Sequence, residues 1–155
     1  MAQIHRQQVE TEVKCSADQF YDLYKNNSTQ LFMIFPQSYK AVQVLEGDGK
    51  SVGSVRLWKC ELGRPGNIVM AKDKVKAVDD ESRSLTLSVI EGDLLSLYRN
   101  FEAKLTVTPK DGDKRSCLVK WAVEFEKENE NDPNPDAYLE FAAAISKELG
   151  PHLIK

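Results

Sequence analysis

A chain of 155 residues, 41% hydrophobic and 29% charged, has the size and make-up of one domain with its own core, spanning 1–155. A net charge of -3 without a basic block argues against nucleic acid as a partner, and no apolar run reaches the roughly 18 residues of a membrane span. Three cysteines without a Cys-x-x-Cys pair and two histidines at opposite ends give no metal-ligand spacing, so reduced thiols in a cytoplasmic protein are the simplest account.

Met1 to Arg6 carries no apolar signal region, and the overlapping sequons at Asn26 and Asn27 read as chance matches. Ile4 to Lys14 reads as a first strand, with Val9, Thr11 and Val13 alternating against Glu10 and Glu12. Ser16 and Gln19 fit a capping box, and Phe20, Tyr21 and Tyr24 follow at helical spacing until Asn26-Asn27-Ser28. A short second helix over Leu31 to Phe35 stops at Pro36.

Strands follow at Tyr39 to Leu45, Ser54 to Cys60 and Ile68 to Val78, separated by turn clusters. Between the first two of these lies Glu46-Gly47-Asp48-Gly49-Lys50-Ser51-Val52-Gly53. Its Gly-Lys-Ser resembles a phosphate loop, but the pattern needs glycine where Val44 stands and a helix where Ser54 to Trp58 reads as a strand. A glycine-rich hairpin is the expectation. Three more strands alternate cleanly: Leu85, Leu87 and Val89; Phe101, Ala103, Leu105 and Val107; Val119, Trp121, Val123 and Phe125. A final helix is predicted from an Asn134 cap and Pro135, with Tyr138, Phe141, Ala142, Ile145 and Leu149 as its apolar stripe, fraying or ending at Gly150-Pro151.

The order of elements is an α+β plan, a seven-stranded curved antiparallel sheet whose dry face the C-terminal helix must cover. One helix with Ala142-Ala143-Ala144 leaves two readings open: an internal cavity, or closer packing of helix on sheet.

The run Glu46 to Val55, with Ala71-Lys72-Asp73, Val78 to Glu81, Val89 to Asp93 and Trp121 to Lys127, resembles the plant major latex protein family of the birch-pollen-allergen-like superfamily. The resemblance spans nearly the whole chain. It implies a sheet wrapped around a long C-terminal helix with two short supporting helices, and a large cavity for small hydrophobic plant metabolites. It also implies that the glycine loop shapes one side of the entrance, and it places Arg56, Trp58, Met70 and Lys72 inward.

The candidate ligand-binding residues are Tyr21, Trp58, Met70, Leu85, Leu87, Val89, Phe101, Ala103, Trp121, Val123, Phe125, Tyr138, Phe141, Ala142 and Ile145. Any of the apolar ones could equally be core. Lys72 and Arg56 are the candidate catalytic residues. A desolvated Lys72 could act as a base or hold a carbonyl, or it could snorkel or pair with Asp73 or Glu91. Arg56 could bind a carbonyl or anionic group, or serve as a rim charge.

No Ser-His-Asp set, dinucleotide fingerprint or metal cluster is present, so neither cofactor nor metal is expected. The expectation is a monomer or weak dimer that binds a terpenoid- or alkaloid-type metabolite and steers its cofactor-free cyclisation or isomerisation. The alternatives are a passive carrier or storage protein and a defence-response protein without turnover.

Overall fold

The computed structural model describes residues 3–62, 65–110 and 113–153. The elements run β1 (Ile4–Val13), α1 (Ala17–Asn26), α2 (Gln30–Ile34), β2 (Tyr39–Glu46), β3 (Val55–Glu61), β4 (Ile68–Asp79), β5 (Ser84–Gly92), β6 (Tyr98–Lys110), β7 (Asp113–Lys127) and α3 (Asp136–Leu153). A short 3-10 helix, Asp93–Ser96, which the sequence reading did not anticipate, joins β5 to β6. The strands form the one seven-stranded antiparallel sheet that the element order predicts, with the order β1-β7-β6-β5-β4-β3-β2.

Local chemistry sets the helix ends. The Ser16 hydroxyl accepts from the Gln19 backbone N–H at 3.1 Å, and the Gln19 side chain accepts from the Ser16 N–H at 3.2 Å, the reciprocal capping box predicted for α1. At the start of α3 the Pro135 carbonyl accepts the first intrahelical bond, from Leu139 at 3.2 Å. Pro135 is therefore the cap, and the expected Asn134 cap shifts by one residue. Nor does α3 end at Gly150-Pro151, because it continues to Leu153. Pro151 lies in the last turn, and the Gln19 side chain donates to the Leu153 carbonyl at 3.0 Å, holding that turn against α1. Gly150 marks a close approach to β1 rather than helix termination: a Cβ there would stand 3.0 Å from Val13 Cγ1 and 3.1 Å from the Lys14 nitrogen, so β1 would have to give way slightly.

The glycine-rich segment is a self-liganded turn. Gly47, Gly49 and Gly53 adopt φ of 76°, 85° and 96°. The Asp48 carboxylate accepts from the Lys50 and Ser51 backbone N–H groups at 2.9 and 2.7 Å, and from the Ser51 and Ser54 hydroxyls at 2.7 and 3.1 Å. An internal carboxylate thus occupies the donors that a phosphate loop would offer its ligand, and these bonds hold the Asp48 carboxyl well below the usual carboxylate range.

The inner face of the sheet is unevenly filled. α3 packs mainly against β1 and β7. Beneath and beside it Phe101, Ala103, Leu105, Val123, Phe125 and Ile145 are buried in continuous core. Ring contacts knit this half together: Phe101–Tyr138 at 5.1 Å, Tyr98–Phe125 at 5.2 Å and Phe101–Phe125 at 6.4 Å between centroids. The space that remains lies over β2 to β5.

Candidate functional site

The orientation of β4 decides what faces that space. β3 and β4 pair in register Arg56↔Asp73, Trp58↔Ala71 and Cys60↔Val69, and directly opposed residues of an antiparallel pair share a face. With Arg56, Trp58 and Cys60 turned inward, the inward residues of β4 are Val69, Ala71 and Asp73. Met70 and Lys72 therefore lie on the opposite face. The expectation that Arg56, Trp58, Met70 and Lys72 all point inward fails here, because the register cannot place both sets inside. Lys72 Nζ instead pairs with Glu91 at 3.1 Å.

These strands, with α1 and α3, enclose a pocket of about 90 Å³. It is lined by Tyr24, Tyr39, Arg56, Trp58, Cys60, Leu62, Val69, Ala71, Asp73, Leu87, Val89, Leu94, Trp121, Tyr138, Phe141 and Ala142. Its walls are largely rings in contact with one another. Tyr39 meets Phe141 edge-on at 5.3 Å and Trp58 at 5.8 Å, while Tyr24 meets Trp121 edge-on at 5.4 Å.

Arg56 is 1% exposed and fully engaged. Its Nε and Nη2 donate to the two Asp73 carboxylate oxygens at 3.1 and 3.3 Å, and Nη1 donates to the Tyr24 carbonyl and Ser28 hydroxyl at 3.5 and 3.4 Å. The guanidinium carbon also lies 4.9 Å from the centre of the Trp58 ring. This bidentate pair ties β3 to β4 and to the end of α1. Arg56 is thus neither a rim charge nor a free catalytic cation.

Burial shapes the rest of the polar chemistry. It lifts the Asp73 carboxyl above the usual carboxylate range, against the opposing pull of Arg56. It raises the Tyr24, Tyr39 and Tyr138 phenols too, so these hydroxyls remain neutral donors and acceptors. Burial and the nearby Asp73 push the Cys60 thiol up to about 12, which leaves it a poor nucleophile. The Trp121 indole N–H donates to the Ser146 hydroxyl at 3.1 Å, whereas the buried Trp58 indole N–H has no hydrogen-bond partner. Among the described residues no group of three or more His, Cys, Asp and Glu side chains is placed to hold a metal ion.

Of the candidate residues, the structure brings Arg56, Trp58, Leu87, Val89, Trp121, Tyr138, Phe141 and Ala142 together around the pocket. Leu85, Phe101, Ala103, Val123, Phe125 and Ile145 are buried but belong to the filled core. Tyr21 serves α1, donating to Asp80 Oδ1 at 2.9 Å and to the Ser84 carbonyl at 3.3 Å. Met70 and Lys72 lie off the pocket, and no residue of 46–53 lines it, so the glycine loop does not shape its mouth. Sequence reasoning missed Asp73, although a signal was available: Lys72, Lys74 and Lys76 mark the wet face of β4 and leave Ala71, Asp73 and Val75 for the dry one. Tyr39, at the start of β2, and Leu62, just past the end of β3, gave no periodic signal.

The chain matches the sequence profile described as the pathogenesis-related protein Bet v 1 family over residues 2–155. It is 38% identical to major latex protein 146 of Papaver somniferum over 146 residues, 94% of this chain and 88% of that protein. Among solved structures, ginseng major latex-like protein 151 from Panax ginseng superposes with a TM-score of 0.90 at 27% identity, covering 98% of this chain and 99% of that one. Norcoclaurine synthase from Thalictrum flavum, in complex with dopamine and hydroxybenzaldehyde, superposes with a TM-score of 0.72 at 25% identity, covering 97% of this chain and 89% of that one.

Proposed function

The chain belongs to the pathogenesis-related protein Bet v 1 family, and from that premise we propose that it binds a small hydrophobic plant metabolite of terpenoid or alkaloid type in the pocket over β2 to β5. The observation that carries this reading is the lining itself: aromatic and aliphatic walls with a few convergent polar groups, the composition of a small-molecule site. The three cysteines are free thiols, which supports a cytosolic setting.

The space of about 90 Å³ is smaller than the roughly 150 Å³ that admits benzene in an apolar cavity, so a metabolite enters only as the lining yields. The Tyr39–Phe141 contact is the natural place to open, since Phe141 is only partly buried. The ligand then selects the opened conformation, and its affinity is reduced by the cost of opening.

A second reading, cofactor-free cyclisation or isomerisation of the ligand, is favoured by one feature. The Asp73 carboxyl and the neutral Tyr138 phenol line the same pocket, so a proton acceptor and a proton donor can face one bound ligand. One experiment addresses both readings. The purified protein and Tyr138→Phe are incubated with a panel of reactive terpenoid and alkaloid intermediates, with binding followed by calorimetry and products by chromatography against protein-free controls. Saturable binding supports the ligand-binding reading, and no binding across the panel contradicts it. A product distribution that changes with the protein and reverts with Tyr138→Phe supports turnover. Binding with unchanged products leaves a carrier or store.

A further inference from the structure

Among the described residues that line the pocket, one fully buried side-chain polar atom lacks a hydrogen-bond partner. Both Asp73 oxygens accept from Arg56, and the Trp121 indole N–H reaches Ser146. The Trp58 indole N–H is buried and has no acceptor. It lies near enough to Asp73 to favour the ionised carboxylate, but the geometry falls short of a hydrogen bond. A buried donor without a partner costs about 1–3 kcal/mol, and an incoming acceptor removes that cost. The charge around this donor further restricts what can approach. Arg56 and Asp73 neutralise each other in a two-bond pair, so the pocket offers no net positive charge to offset the desolvation of an anion.

We propose that Trp58 is the specificity-determining residue of the pocket, its indole N–H donating to a neutral oxygen acceptor, such as a ketone or aldehyde carbonyl, carried by an otherwise apolar ligand. This rests on the ligand-binding reading above and narrows it: an uncharged carbonyl compound is selected over both the matching hydrocarbon and the matching carboxylate. The hydrocarbon leaves the donor unsatisfied, and the carboxylate brings a charge without a counter-charge into an apolar pocket. The side chain acts by orienting the ligand.

The test uses acetophenone, ethylbenzene and benzoate as probes, titrated by calorimetry into the protein and into Trp58→Phe, which keeps an aromatic ring and deletes the donor. The proposal predicts that acetophenone binds most tightly and loses roughly fivefold to tenfold in affinity in Trp58→Phe, with ethylbenzene unchanged and benzoate weakest. A second readout does not depend on the variant's stability. The chain has two tryptophans, hence two indole N–H signals. Acetophenone should move the Trp58 signal downfield and leave that of Trp121, already bonded to Ser146, in place. Equal binding of acetophenone and ethylbenzene with a stationary Trp58 signal, or benzoate binding as tightly as acetophenone, overturns the proposal and leaves the pocket reading intact. Failure of all three probes to bind overturns both.

Discussion

The two halves of the inner sheet face are built from different kinds of strand. Over β6 and β7 the apolar residues alternate without interruption, and the face is packed solid by Phe101, Leu105, Val123 and Phe125 beneath α3. Over β3 and β4 the inward positions mix Arg56, Trp58 and Cys60 with Val69, Ala71 and Asp73, and there the pocket lies. Clean alternation marks a face that fills itself with its own side chains. A face that must leave room includes small residues and polar ones, which need partners and so require a defined geometry.

The largest effects should come from breaking the buried pair that organises the hollow half. Asp73→Ala leaves Arg56, 1% exposed, without its counter-charge, and should cost about 3–5 kcal/mol in urea unfolding. The double change Arg56→Met with Asp73→Leu should restore stability to near the parent or above it, because burying two charges is itself costly. A double variant as unstable as Asp73→Ala would mean that the pair does more than neutralise itself.

The halves should also respond differently to truncation. Phe125→Ala, in the filled half at 1% exposure, should cost about 3–5 kcal/mol. Phe141→Ala, at the pocket wall, should cost about 1–2 kcal/mol and tighten binding of ligands larger than benzene by relieving the Tyr39–Phe141 closure. Equal losses in the two variants would erase the distinction between filled and hollow regions.

What the sequence made legible follows the same division. The succession of strands along the chain, the capping box at Ser16 and the final helix were readable because each rests on local pattern, whereas the pairing of β1 with β7 is not local and was not read. On β6 and β7 the inward face was correct, but pattern alone could not separate core from lining, since Phe101 and Phe125 satisfy either role. On β4 the assignment borrowed from resemblance reversed the strand, although Lys72, Lys74 and Lys76 lie at alternate positions. Register with β3, a tertiary property, fixes the parity and brings Asp73 to Arg56. The unpaired Trp58 N–H depends on where every neighbouring acceptor lies and has no counterpart in a one-dimensional pattern.

Smaller effects test the outside of each half. Lys72→Ala removes a surface pair with Glu91 and should change stability by no more than about 1 kcal/mol, with ligand affinity unchanged. Loss of binding in that variant would return Lys72 to the site. On the filled half, the Glu12 carboxyl is held down at about 2 by hydrogen bonds and charge from Lys110 and Lys14. A depressed carboxyl contributes stability above its unfolded value near 4.5 and loses it as pH falls toward 2. Glu12→Gln should therefore flatten the acid side of the stability profile between those values and leave the neutral region little changed. An unaltered acid limb would show that the pair is screened away.

The division between a filled and a hollow half is tested most directly by diffusing xenon into crystals of the protein. Xenon enters apolar space and reports it without needing a polar partner. The account predicts a single bound atom among Trp58, Ala71, Leu87 and Phe141, and none among Phe101, Val123 and Phe125. Xenon among the latter three, or none beside Trp58 and Phe141, would contradict it.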